Sequence, residues 1–139
     1  MEILAAPDKA VQALRLEPDE EAVRLELSAE LEGNPVGYLE LFFPVWAGEA
    51  LLPEDIETGT PTIRIIERKL NIRVARAEQV IEAAAAGEQA ASYLGLAPGA
   101  PVLRVTRVYY AADGRPVEAV FVRYHPDHYR YSIELHAGR

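Results

Sequence analysis

The chain contains no cysteine, so neither a disulfide framework nor a thiolate metal site is open to it. Basic residues are few: 14 Lys and Arg stand against 22 Asp and Glu, a formal net charge of −8. Nucleic-acid phosphates and anionic membrane surfaces are both met by basic faces, so the composition argues against direct contact with either. No apolar run reaches the length of a membrane span, and the longest candidate, Leu39 to Leu52, is interrupted by Pro44 and Gly48. The first residues carry Glu2 and Asp8 where a signal peptide would be basic, which leaves the cytoplasm as the default address. Serine occurs only at positions 28, 92 and 132, never in the Gly-x-Ser-x-Gly context of a nucleophile elbow. Phosphate-loop and dinucleotide fingerprints are absent as well.

What is present is an internal echo. Ala13-Leu14-Arg15-Leu16-Glu17-Pro18, an apolar run and Gly33-Asn34-Pro35-Val36 are answered about eighty positions later. The later stretch reads Ser92-Tyr93-Leu94-Gly95-Leu96-Ala97-Pro98, an apolar run and Gly114-Arg115-Pro116-Val117. Each copy has the order helix end, strand, tight turn, strand. Two such units predict one sheet built from two halves, with room for a ligand where the halves meet.

Alternation over 22–31 predicts a half-buried strand, with Val23, Leu25 and Leu27 on one side, and Val36 to Val45 returns as its partner. Pro101 to Ala111 and Val117 to Tyr124, joined at Ala112-Asp113-Gly114-Arg115, form the second hairpin. Ile72 to Ala83 reads as a further strand, and alternation over Tyr129 to Leu135 predicts a last one. Helices are expected over 8–14, from Thr60-Pro61 to Asn71, and over 88–94, with a single turn at 53–56. Thr60 is the expected N-cap and Pro61 the first helical residue. With 139 residues and no linker, the expected whole is a single α+β domain over 1–139. Its mostly antiparallel sheet would carry three or four helices on one face.

The two copies differ where chemistry could lie. Aligned on their turns, Glu118 falls opposite Gly37 and Tyr124 opposite Phe43. Glu118, Val120, Val122 and Tyr124 repeat at period two and share a face, whose apolar pair marks it as the buried one. A buried Glu requires a partner, either a ligand amide, amine or hydroxyl, or an internal group such as an arginine of the neighbouring strand. His125 and His128 flank Asp127 at a spacing that could hold a metal, but a third ligand is not evident and a surface turn is the favoured reading. No cofactor is expected.

These residues also carry a family resemblance. Pro101-Val102-Leu103-Arg104-Val105-Thr106-Arg107, Asp113-Gly114-Arg115-Pro116-Val117-Glu118 and Tyr124-His125-Pro126-Asp127-His128-Tyr129 together resemble the C-terminal signature of the UTRA domain. This is the effector-binding domain of GntR-type, HutC-subfamily transcription regulators. The earlier copy and the helix from Glu88 fit the same pattern, so the likeness covers nearly the whole chain. It implies a chorismate-lyase-like fold, a homodimer and a pocket for a small polar metabolite. It also implies DNA binding only through a winged helix-turn-helix domain that this sequence does not contain. Carried over by position, Glu118 and Tyr124 match effector-contacting residues. Arg64, Arg76, Glu78 and Arg107 are weaker candidates, each more simply read alone as a surface or internally paired group.

Three departures from the family pattern bear on function. Met1 followed at once by domain sequence suits a domain cut from a longer protein, although a natural stand-alone domain is the other reading. Where many members place arginines on the first hairpin strand, this chain has Glu26-Leu27-Ser28-Ala29, and an acid there disfavours a phosphorylated effector. The Ser-x-Tyr start of the middle helix is replaced by Thr60-Pro61-Thr62-Ile63, leaving the hydroxyls, Thr62 among them, to serve. The resemblance thus implies a sensor that works by conformational coupling and not an enzyme. The alternatives are a chorismate-lyase-like enzyme acting on a small aromatic acid, which would need inward-facing arginines among Arg24, Arg104 and Arg107, and a degenerate domain that only dimerises.

Overall fold

In a computed structural model, which describes residues 1–138, the chain forms one six-stranded sheet with helices on both sides. The strands are β1 (Glu2–Ala5), β2 (Glu21–Leu31), β3 (Asn34–Pro44), β4 (Val74–Ala85), β5 (Pro101–Ala111) and β6 (Pro116–Tyr124). The helices are α1 (Asp8–Leu14), α2 (Val45–Gly48), α3 (Pro53–Ile56), α4 (Thr62–Leu70) and α5 (Glu88–Leu94). The sheet order is β1-β2-β3-β6-β5-β4, and every neighbouring pair is antiparallel. The two hairpins therefore meet along β3 and β6 at the centre, and the strands that precede them, β1 and β4, lie at the edges.

Because β3 and β6 are central, both of their faces are buried, and each reads as a near-continuous apolar run. One face carries Val23, Leu25, Leu41, Phe43, Val105, Val120 and Val122 beneath Ala47, Leu51, Ile63 and Ile66 of the α2–α4 side. The other carries Ala22, Phe42, Val108, Ala119 and Phe121 beneath Ala10 and Leu14 of α1, with α5 covering Val102 through Ala91 and Leu94. This corrects the expectation that the helices share one face. Alternating apolar residues on both sides of the central strands require a helical cover on each.

Local chemistry sets the ends. α1 and α5 both stop on left-handed residues, Arg15 and Gly95, and α4 stops on Asn71 as its sequence predicts. The start of α4 differs from expectation. Pro61, not Thr60, occupies the cap position, with no side-chain cap, and its carbonyl accepts from the N–H groups of Arg64 (3.0 Å) and Ile65 (3.3 Å). Gly48 lies where the chain passes against β2 and β3: a Cβ there would fall 2.5 Å from Val23 Cβ and 2.9 Å from Phe43 Cβ.

The expected last strand does not form. After Tyr124 the chain turns, with the N–H groups of His128 and Tyr129 bonded to the His125 carbonyl, and residues 130–138 run exposed without secondary structure. Alternation supplies a strand with a pattern but not with a neighbour to bond to. The short edge strand β1 and the single turn α2 went unforeseen; four residues give little periodicity to read.

Candidate functional site

The side chains that alternate onto the α4 face of the sheet border a cavity of about 290 Å³. Its floor is Leu27 of β2, Leu39 and Leu41 of β3, Glu118 and Val120 of β6, and Arg107 and Tyr109 of β5. Ile56 of α3 and the segment Gly59 to Ile63 leading into α4 form its roof. The register explains the grouping: Tyr109 stands directly opposite Glu118 across the β5–β6 pair, and Arg107 opposite Val120. Arg107 is thus the diagonal neighbour of Glu118.

Glu118 is the unusual member. It is 3% exposed. Its Oε1 accepts the Thr62 hydroxyl at 2.8 Å, so the internal partner comes from the helix above and not from an arginine of the next strand. Burial pushes its carboxyl up to about 7, and the Thr62 hydroxyl and the Arg107 charge only partly offset this. Arg107 is itself held in place, donating from Nε to Gln79 Oε1 at 2.8 Å and from a terminal nitrogen to the Tyr109 hydroxyl at 3.2 Å. An apolar wall thus faces a small polar corner that combines a carboxyl poised between its two forms, a guanidinium, a phenol and a hydroxyl. Such a corner can bind and orient a polar group of a small molecule.

Of the residues singled out in the sequence, Glu118, Thr62 and Arg107 are brought together here. The others are not. Tyr124 shares the face of Glu118 but sits six residues along β6, outside the cavity, with its ring stacked on Tyr129 at a centroid distance of 3.6 Å. Arg64 projects from α4 into solvent and pairs with Glu67 at 2.9 Å. Arg76 lies over the Tyr110 ring, 3.9 Å from its centroid, and Glu78 accepts the Tyr110 hydroxyl at 2.6 Å. Tyr110 packs on the opposite face of the sheet, so Arg76 and Glu78 serve that side. Glu26 is also on the far face, bonded to Tyr38 and paired with Arg24 at 3.1 Å. It is Leu27 that faces the cavity, so the expected repulsion of a phosphorylated effector by Glu26 has no structural basis. His125 is buried and its Nδ1 accepts the Asp127 N–H at 3.0 Å, so this nitrogen orders the turn. Among the described residues no group of three or more metal-ligating side chains could hold an ion, and no helix is long and apolar enough to cross a membrane.

Sequence reasoning missed Tyr109, Gln79 and the apolar wall. Tyr109 was legible only as a strand aromatic until the register set it opposite Glu118. Gln79 lies on an edge strand with nothing in its sequence to mark it. Another cavity, of about 210 Å³, lies on the far face between β3, β6 and α5; of its two carboxylates, Glu40 and Glu88, Glu40 is already paired with Lys9 at 2.5 Å and Arg24 at 2.8 Å.

Comparison with known proteins agrees with this architecture. The family model described as "UTRA domain" matches residues 1–130. The HTH-type transcriptional regulator Rv0792c of Mycobacterium tuberculosis is 38% identical over 105 residues, covering 73% of this chain and 39% of the relative. The HTH-type transcriptional repressor NagR of Bacillus subtilis is 38% identical over 66 residues, covering 48% of this chain and 27% of the relative. The chain therefore spans well under half the length of either regulator. Among solved structures, the C-terminal domain of the histidine utilization repressor of Pseudomonas syringae superposes with a TM-score of 0.86 at 18% identity, over 98% of this chain and 94% of that one. At that identity it shows the fold alone. A crystal structure described as the ligand-binding domain of a GntR-family transcriptional regulator of Bordetella bronchiseptica gives a TM-score of 0.82 at 29% identity, over 97% of this chain and 86% of that one. The chain belongs to the UTRA domain family, the effector-binding domains of transcription regulators.

Proposed function

We propose that the Glu118 cavity is the effector site of this domain, and that the chain, residues 1–139 acting as one unit, senses a small polar metabolite without transforming it. The observation that carries this reading is the buried carboxyl. Glu118 receives one donor, Thr62, and no second protein donor among the described residues, while open volume lies beside it. Burying a carboxyl with so little compensation costs stability, and a ligand donor at the vacant oxygen offsets that cost. Leu27, Leu39, Leu41 and Ile56 would hold an apolar portion of the ligand, while Arg107 and Tyr109 would meet a second polar group.

The enzymatic alternative needs a cationic pocket for an aromatic carboxylic acid. Arg24 lies on the far face bonded to Glu40, and Arg104 pairs with Glu82 at 2.5 Å. Arg107 alone among the three borders the cavity, and this favours the sensor. In the whole protein the domain would work as a homodimer, passing occupancy to a separate DNA-binding domain by differential stabilisation of one arrangement.

The test is a thermal-shift screen of the chain against sugars, amino acids and their phosphates. At least one compound is expected to raise the melting temperature of the wild type, and to lose most of that effect in Glu118→Gln and in Arg107→Ala. A ligand whose shift survives both substitutions binds elsewhere and overturns the assignment. No shift from any compound would favour a domain that only dimerises, and turnover of a chorismate-like acid would favour the enzyme.

A further inference from the structure

The cavity on the far face holds charges that the protein leaves unanswered. Arg123 of β6 is partly buried and borders it. Directly across the β5–β6 pair stands a like charge, Arg104, which turns away to Glu82 at 2.5 Å. Arg123 has no acceptor of its own among the described residues. Neither of the cavity's carboxylates, Glu40 or Glu88, comes within ion-pair distance of it. Burial, and after it the Arg104 charge, lower its pKa from the ordinary arginine value. An unpaired guanidinium in a concave, partly desolvated place demands an anionic group.

The opposite demand comes from the helix side. Glu88, the exposed first residue of α5, borders the same cavity and pairs with no cation among the described residues. A plain anion at Arg123 would face both carboxylates, and a plain cation at Glu88 would face the guanidinium. A molecule with a carboxylate at one end and an ammonium at the other satisfies both. We propose that this cavity is a second ligand site, separate from the Glu118 cavity, and that it takes a linear zwitterion of dipeptide size, its carboxylate on Arg123 and its ammonium on Glu88.

Size and layering select this class. Arg123 belongs to the sheet and Glu88 to the helix over it, so the ligand's charges must lie at opposite ends. An α-amino acid carries its ammonium next to its carboxylate, where Arg123 would repel it. The volume of 210 Å³ holds about seven waters at roughly 30 Å³ each, room for a chain of about ten non-hydrogen atoms. Phe121, 9% exposed, offers a floor for one small apolar side chain, and Gln89 can bond an amide between the two ends. The site is distinct because strands alternate. Leu39, Leu41 and Val120 line the Glu118 cavity, while Tyr38, Glu40 and Phe121 of the same two strands line this one.

The probe is the dipeptide glycylalanine, titrated into the chain and followed by amide NMR. Binding is expected with a Kd of about 1 mM or tighter, with shifts at Glu88 to Ala90 and at Phe121 to Arg123. Arg123→Gln should weaken it at least about tenfold, the loss of one charge-assisted hydrogen bond. Glu88→Gln, at an exposed position, should weaken it without disturbing the packing. Amidating the peptide's carboxylate or acetylating its amine should each do the same, and Glu118→Gln should leave binding unchanged. Arg123→Gln also removes the repulsion from Arg104, so the melting temperature of the free domain should not fall. A marked fall would make Arg123 a structural group and overturn its role in binding. No shift at ten times the expected Kd, equal binding of the amidated peptide, or equal binding of free alanine overturns the proposal. Shifts confined to the Glu118 cavity and lost in Glu118→Gln would also overturn it, and would leave the effector site standing.

Discussion

The hydroxyl of Thr62 donates to Oε1 of Glu118 at 2.8 Å, tying the first residue of α4 to the middle of the sheet. Both residues are under a tenth exposed. The bond is the polar contact around which the candidate site is built, and its energetics are open to measurement without knowing the ligand.

Glu118 should make the stability of the free domain depend on pH. Its carboxyl is raised from 4.5 to about 7 by burial, so the folded state binds the proton more tightly than the unfolded state does. The stabilisation is fully present below pH 4.5, declines between 4.5 and 7, and is lost above 7. Glu118→Gln, neutral at every pH, should flatten this part of the profile and stabilise the free domain at pH 8, by roughly 3 kcal/mol as an upper bound. Urea unfolding of both proteins from pH 5 to 8 measures it. Parallel profiles would show that Glu118 does not titrate in this range.

Thr62→Val keeps shape and removes the donor. At pH 8, where Glu118 is ionised, the variant should lose about 1–2 kcal/mol, as expected for a buried charged group deprived of a hydrogen bond. At pH 5 the protonated carboxyl needs the donor less and the loss should be smaller. Equal losses at both values would assign the effect to packing alone.

On the opposite face Arg24 binds Glu40 at 2.8 Å, Glu26 at 3.1 Å and Glu2 at 3.3 Å, with its own side chain 16% exposed. Three carboxylates converge on this one guanidinium, and Lys9 also reaches Glu40. Arg24→Met should cost more than an ordinary surface pair is worth, about 2 kcal/mol, because it leaves the half-buried Glu40 short of a partner and facing the more exposed Glu26 and Glu2. Arg104→Met, which breaks a more exposed pair with Glu82, should cost under about 1 kcal/mol. Thermal melts of the two variants at low and high salt compare them.

Gly48→Ala should be among the most damaging single methyl additions. The new carbon would meet Val23 Cβ at 2.5 Å and Phe43 Cβ at 2.9 Å, atoms fixed to the backbone that cannot swing aside. A loss of about 1–3 kcal/mol or more is expected from overpacking, visible as a lower denaturation midpoint. Gly87→Ala, with nothing within 4 Å of the added carbon, is the control.

The two hairpins and the buried side of β6 were legible because period-two alternation and turn residues are local properties. Glu118 stood out because an acid on an apolar face breaks a pattern, and breaks in a pattern can be seen in one dimension. The sequence could not show that α4 supplies its partner, since the Thr62–Glu118 contact joins residues 56 apart. The division of helices between two faces was readable in principle from the unbroken run Glu118-Ala119-Val120-Phe121-Val122, which is buried throughout. Tyr124 shows the limit of sharing a face. Six positions along a strand is roughly 20 Å, too far to border the same small cavity. Alternation at 129–135 was real, but whether it becomes a strand depends on what lies beside it, which no single chain encodes locally.

Gly37 has a further consequence for how the chain leaves the sheet. A side chain at 37 would come within 3.2 Å of the Tyr124 ring, so the bare backbone there is what lets the ring lie across β3 and stack on Tyr129. The exit direction of the C-terminal segment is therefore aimed by a missing methyl group two strands from the free border of the sheet. Adding that methyl would press on the Tyr124 ring, well away from the Glu118 cavity.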